Sequence, residues 1–220
     1  MISLENVSKK FNTGKREIQV LTDISFKVQK GESLAVKGRS GSGKTTLLHC
    51  MAGIEKPDEG KIVCLSQNIS SLSPGKISSF LRVNTGFVFQ QGNLLSYLTV
   101  YENIAFPLRL NRVYGKKIEK RVACILEKID MPNAAKVLPK ELSGGESMRV
   151  AVARALVHHP KIVFADEPTA SLDSKTARII LELLTAISKE QKCSIIFSTH
   201  DAEVLNMADR VLELKDGQMI

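Results

Sequence analysis

Long apolar runs are missing from this 220-residue sequence: none approaches the roughly eighteen residues that span a bilayer, so no transmembrane helix is expected. The opening "MISLENVSKK" puts Glu5 inside what would be a signal peptide's apolar stretch, which argues for a cytosolic chain. Cysteine is scarce and scattered. Cys50, Cys64, Cys124 and Cys193 form no C-x-x-C pair, which speaks against a zinc site and a disulfide framework and leaves them as small core residues. Internal repeats, low-complexity tracts and heptads are also lacking, and with them any sign of a long coiled coil.

What remains is globular material. Hydrophobic residues make up 43% of the chain at a mean hydropathy of -0.03, enough to bury a substantial core in one domain. The net charge of +8 admits an anionic partner such as a nucleotide, a nucleic acid or a lipid surface. The densest basic cluster, "KKIEKR" from Lys116 to Arg121, includes Glu119 and reads as a solvated helix face.

Ile24, Phe26 and Val28 alternate with Ser25, Lys27 and Gln29, the period of a half-buried strand, and "KGE" then turns the chain into "SLAVKG". From "GKTTLLHCMAG" onward, helices alternate with the short apolar strands "GFVFQ", "KIVFAD" and "SIIFSTH", the pattern of a largely parallel sheet with crossover helices. Thr99 to Leu156 carries helix signals without a convincing strand and reads as a helical insertion. Ile179, Ile180, Leu183, Leu184 and Ile187 form a stripe after a cap at Asp173 or Ser174, which predicts a helix packed on the sheet. The closing "RVLELKDGQMI" is a strand, an Asp-Gly turn and the start of a second strand. On this reading either the protein is minimal or a short tail is missing.

"GRSGSGKT", Gly38 to Thr45, fits G-x-x-x-x-G-K-[ST] between an apolar strand and a helix. Glycines let backbone N–H groups close around phosphate oxygens, and the helix N-terminus adds partial positive charge. Lys44 reaches outer phosphates and the Thr45 hydroxyl suits Mg²⁺. "KIVFADEPTASLD" ends an apolar strand in Asp166 and Glu167, where α/β sheets bind ligands. Asp166 is placed to hold Mg²⁺ and Glu167 to orient an attacking water as general base; as an alternative, both merely cap the next turn. Together the two motifs predict a Mg-dependent nucleoside triphosphatase.

A second stretch, "LSGGESMRVAVARAL" from Leu142, opens a helix. Ser143 and Glu146 fit a capping box, which by itself predicts an ordinary capped helix. Gly144 and Gly145 fit that reading poorly, since each costs the first turn about 1 kcal/mol against Ala; both are sensible where an anion must approach the backbone. Here the sequence resembles the ATP-binding-cassette (ABC) family, whose signature is "LSGGE", found after the phosphate loop and Gln90 and before "DEP". The resemblance runs end to end. It implies a P-loop NTPase fold: an α/β core with a mainly parallel sheet, an N-terminal antiparallel β subdomain and a helical subdomain at about 91–156, all within one domain of residues 1–220.

By the same resemblance ATP and Mg²⁺ are the cofactors. Gly38, Arg39, Ser40, Gly41, Ser42, Gly43, Lys44, Thr45 and Thr46 cradle one ATP, while Ser143, Gly144, Gly145 and Glu146 meet the γ-phosphate of an ATP on a second copy packed head to tail. Gln90 corresponds to the Q-loop residue that touches Mg²⁺ or the attacking water. His200 resembles the switch histidine on the γ-phosphate, and Asp173 the D-loop residue linking the two sites. Phe11 stands where the family stacks an aromatic on adenine, with core packing as the alternative. Ser147 and Met148 depart from the family's usual two Gln, and Phe11 from its usual Tyr; neither change removes a catalytic group.

The resemblance further implies an integral membrane permease as partner, with the chain peripheral on the inner face of the membrane and no nucleic acid bound. DNA-repair and chromosome members carry long insertions that have no counterpart between Gln90 and Leu142. "LSPGKISSFLRVNTGFVFQQGNLLSYLTVYENIAFPL" is similar to the lipoprotein-release, macrolide-export and cell-division subgroup, which puts export, lipoprotein release or mechanical transmission first, amino-acid import second and a soluble ATPase acting on DNA or ribosomes last.

Overall fold

The computed structural model describes residues 1–12, 14 and 16–220. In chain order the strands and helices are β1 (Ile2–Asn12), β2 (Glu17–Val28), β3 (Ser33–Lys37), α1 (Lys44–Ala52), β4 (Glu59–Cys64), β5 (Gln67–Asn68), α2 (Pro74–Asn84), β6 (Thr85–Val88) and α3 (Val100–Leu110). There follow α4 (Lys116–Lys128), α5 (Gly144–Leu156), β7 (Ile162–Asp166), α6 (Ser174–Gln191), β8 (Ser194–Thr199), α7 (Ala202–Leu205), β9 (Arg210–Lys215) and β10 (Gln218–Met219). The chain divides into two compact units: Met1–Leu81 with Ile196–Ile220, and Arg82–Ile195.

In the first unit an antiparallel sheet runs in the order β2-β1-β4-β5, with Ile2 opposite both Val28 and Cys64. The period-two pattern buries Ile24 and Val28 with Phe26 half-buried between them, and Leu21 is buried across the irregularity at Asp23. Asn6 and Asp23 take positive φ where the register between β1 and β2 shifts, so the sheet bends there. β3 is apolar on both faces, as a parallel interior strand requires; it pairs with β9, and the Asp216-Gly217 turn returns the chain into β10.

In the second unit β6 pairs parallel to β7, and rings stack beneath their ends: Phe87 lies 5.0 Å from Phe89 and 5.5 Å from Phe164. Gly86 is required by packing, because a β-carbon there would stand 2.2 Å from the Ala155 carbonyl oxygen. Helices α3, α4 and α5 occupy the strandless stretch that the sequence indicated. α3 starts at a capping box made by Thr99 and Glu102.

Two expectations are corrected. Cys124 is exposed on α4, while Cys50, Cys64 and Cys193 are buried. The buried stripe of α6 is Ala177, Ile180, Leu181, Leu184, Ile187 and Ser188; Ile179 is 36% exposed and Leu183 half-buried. An 18-residue helix rotates about 100° per residue, so Ala177 and Leu181 share the inward face with Ile180 and Leu184, and Ile179 falls outside it. Asp173 is the cap, accepting the Thr176 N–H at 3.0 Å.

Candidate nucleotide site

The phosphate loop is built in the first unit between β3 and α1. Gly43 has a φ of 103°, and a β-carbon there would stand 2.9 Å from the Val20 carbonyl oxygen. At Gly38 a β-carbon would meet Ser42 Oγ at 2.4 Å and Leu214 O at 2.5 Å, so both glycines are demanded by close packing. Ser42 Oγ is buried with no hydrogen-bond partner, an orphaned polar atom inside a loop of backbone donors. Lys44 is buried, and its ammonium donates to the Gly38 and Arg39 carbonyls at 2.9 and 3.1 Å, which folds it back over the loop. Arg39, Ser40, Gly41 and Thr45 are exposed and Thr46 is half-buried, with Thr45 in the first turn of α1.

The same unit holds His200 and Phe11. His200 is exposed just past the end of β8. Phe11 is 37% exposed, which sets aside the core-packing alternative, and Lys9 Nζ lies 5.1 Å from its ring centroid. The sequence reading missed the support that the C-terminal hairpin gives the loop: the Gly217 N–H donates to the Ser42 carbonyl at 3.1 Å, beside Leu214. Only long-range packing shows that contact.

The second unit carries the acidic strand end. Asp166 closes β7 half-buried, and Glu167 follows with a φ of 43°, left-handed backbone that a non-glycine residue ahead of a proline rarely adopts. Gln90 is exposed in a tight turn closed by the Gly92 N–H on the Phe89 carbonyl at 2.8 Å, with Gly92 at a φ of 70°. Ser171 Oγ donates to the Gln90 carbonyl at 3.4 Å, bringing the "SLD" stretch to this turn.

Two supporting residues went unread in the sequence. Arg154 donates to the Gly92 and Asn93 carbonyls at 2.7 and 2.8 Å, a forked clamp on the segment after Gln90, and burial pushes its pKa below the usual guanidinium value. Asn103, fully buried, accepts the Leu95 N–H at 2.8 Å and donates to the Leu95, Leu98 and Thr99 carbonyls at 2.9 to 3.1 Å. A polar residue inside an otherwise apolar helix face was the available signal at Asn103. For Arg154 no signal separates it from a solvated arginine.

The capping box at α5 is present: the Glu146 N–H donates to Ser143 Oγ at 3.3 Å, and the Ser143 N–H and hydroxyl donate to the Glu146 carboxylate at 2.8 and 2.7 Å. Those bonds hold Glu146 below the ordinary carboxylate pKa. Ser143 and Gly144 are exposed. The two glycines differ. A β-carbon at Gly145 would stand 2.7 Å from Thr176 Cγ2, a packing reason unrelated to any anion, whereas at Gly144 the nearest atom is Leu172 Cδ2 at an ordinary 3.7 Å. Gly144 is therefore the glycine that internal packing leaves unexplained.

Fold and motifs together define the class, an ATP-binding cassette. The ABC transporter family profile matches residues 21–170. The methionine import ATP-binding protein MetN 1 of Bacillus cereus is 43% identical over 100% of this chain, which spans 64% of that relative's length. The uncharacterized ABC transporter ATP-binding protein YvrO of Bacillus subtilis (strain 168) is 38% identical, with 100% of this chain and 96% of the relative covered. Two structures of the cassette MJ0796 cover 100% of this chain and 96% of theirs at a TM-score of 0.92: a dimeric bacterial ABC transporter cassette at 36% identity, and a dimeric post-hydrolysis state bound to ADP and Pi at 35%. The chain belongs to the ABC transporter family.

These relatives give no specific support to the lipoprotein-release, macrolide-export and cell-division subgroup; the methionine importers favour the reading placed second, amino-acid import. No helix among the described residues is long and apolar enough to cross a membrane.

Proposed function

We propose that the chain is the ATP-hydrolysing subunit of an amino-acid importer, working as a head-to-tail dimer around two ATP and driving an integral membrane permease from the inner face. The observation that carries the ATP-binding part is the phosphate loop at the start of α1, with its buried, unpartnered Ser42 hydroxyl. Import is supported by 43% identity along the whole chain to a methionine import ATP-binding protein.

In this reading Gly38–Thr46 holds the phosphates and Phe11 stacks on the base. The donor set assigned to Mg²⁺ is the Thr45 hydroxyl, the Asp166 carboxylate and the Gln90 amide oxygen, the hard-oxygen chemistry that this ion takes together with phosphate oxygens. Bound there, Mg²⁺ supplies charge neutralisation on the phosphates. Glu167 accepts the proton of the attacking water and His200 donates a hydrogen bond to the γ-phosphate. Asp173, at the exposed start of α6, links the two sites across the dimer.

Ser143, Gly144, Gly145 and Glu146 serve the partner copy's ATP, and the exposed, capped start of α5 supports that role. Closure then follows by mass action. ATP makes contacts that exist only in the closed dimer, so it shifts the population toward closure, and hydrolysis removes that bias.

The test pairs phosphate release with uptake. In cells lacking this chain, labelled methionine uptake should be lost, restored by the wild type and not by Glu167→Gln. Restoration by the variant would remove hydrolysis from the transport cycle. Normal uptake without the chain would send the cargo assignment back to export, with hydrolysis untouched.

A further inference from the structure

The second unit holds a cavity of about 280 Å³ that the nucleotide chemistry does not use. Lys120, Arg121, Cys124, Ile125 and Lys128 of α4 line it, with Val157 and His159 past the end of α5 and Gln191 at the end of α6. Spacings of three and four residues put the α4 members on one helix face. The charged residues that line it are all basic. Lys128 is paired with Glu190, but Lys120 and Arg121 have no ion-pair partner among the described residues. His159 faces the same space in left-handed backbone, and burial, then repulsion from Arg121 and Lys128, holds it below the ordinary imidazole pKa.

The floor is different in kind. Ile125 is buried, Val157 is buried, and together they offer an apolar surface beside the cationic rim. Gln191 Oε1 is buried without a hydrogen-bond partner, so the wall asks for a donor from an occupant. Two unpaired cations, an apolar floor and an orphaned acceptor in a volume near the lower bound for small-molecule sites describe one ligand chemistry. We propose that this cavity binds a small amphipathic carboxylate bearing an N–H or O–H donor: its carboxylate sits against Lys120 and Arg121, its apolar body lies on Ile125 and Val157, and its donor meets Gln191. The site is independent of the nucleotide reading and stands or falls separately.

Cys124 makes occupancy measurable. It is the exposed thiol on the cavity wall, while burial pushes Cys50, Cys64 and Cys193 up to about 12 and keeps them unreactive. N-acetylphenylalanine is the probe and its methyl ester, which lacks the charge, the control. N-ethylmaleimide labelling of Cys124 in the full chain should slow in proportion to 1 + [L]/Kd, about tenfold when the acid stands at ten times Kd. The ester should leave the rate unchanged, and Lys120→Glu with Arg121→Glu should abolish protection. Should that pair fail to fold, Lys120→Gln with Arg121→Gln serves the same purpose, with backbone amide shifts of residues 120–128 as a second readout. No protection by the acid up to about 10 mM, where affinity falls below the millimolar range, overturns the proposal. Equal protection by acid and ester overturns it too.

Discussion

Thr176 stands so close to Gly145 that a β-carbon on the glycine would lie 2.7 Å from the threonine Cγ2, which fixes the start of α5 against the start of α6. The contact joins the signature turn to the helix capped by Asp173. Gly145→Ala should therefore cost about 1–3 kcal/mol, the usual scale of overpacking, seen as a lowered thermal midpoint. Thr176→Ser removes the offending methyl and should return most of the loss in the double variant. A Gly145→Ala protein as stable as the wild type would refute the packing account.

Gly144→Ala should behave oppositely. Its β-carbon meets only an ordinary contact, and replacing glycine in a helix gains up to about 1 kcal/mol, so the midpoint should hold or rise. ATP-driven association should nevertheless weaken, because in the proposed dimer the added methyl stands where a partner's phosphate approaches. A variant that associates normally would take Gly144 out of the shared pocket.

Glu167→Gln should retain ATP binding and lose about 10²- to 10⁴-fold in turnover, the usual size of a general-base contribution. Phosphate release under single-turnover conditions measures it. Near-normal release would remove Glu167 from that role.

Arg154→Leu should loosen the segment after Gln90, since two carbonyls lose charge-assisted donors worth about 1.5–3 kcal/mol each. Hydrogen exchange at residues 92–95 should rise and turnover fall; Arg154→Lys, which cannot fork, should recover only part. Unchanged exchange would show that the clamp is idle.

His158 gives the chain an acid-side weakness. Burial holds its pKa below the ordinary value of about 6.5, the hydrogen bond to the Thr85 carbonyl only partly opposing. The unfolded chain then binds the proton more readily, so this contribution is complete above about pH 6.5 and is lost as pH falls toward the lower folded value. Thermal melts should show a midpoint falling below about pH 6.5, with a shallower fall in His158→Gln. His159, also depressed, adds the same sign and keeps part of the slope in the variant. An identical slope in both proteins would contradict the assignment.

Much of this was legible because the chemistry is local. The phosphate loop needs glycines, Lys44 and a helix start in one short run, and Ser143 and Glu146 form a box three residues apart. Period-two and apolar runs gave β2, β3, β6, β7, β8 and β9, and helix signals gave a helical stretch between β6 and β7 without resolving its helices, while β1, β4 and β5 went unread. What escaped depends on contacts between distant segments: Arg154 on the Gln90 turn, Leu214 and Gly217 on the phosphate loop, Ala155 over Gly86. The stripe of α6 was misplaced for a related reason, since apolar residues at Ile179 and Ile180 cannot both face inward and sequence alone does not say which one does. Gly145 illustrates both sides, its presence being readable and its packing cause visible only beside Thr176.

The central claim, that the start of α5 serves another copy's ATP, is tested most directly by light scattering on Glu167→Gln with ATP and Mg²⁺, alone and combined with Ser143→Arg. We predict that the single variant shifts from monomer to dimer on adding ATP, and that the double variant binds ATP yet stays monomeric. A dimer of unchanged affinity in the double variant would contradict the account.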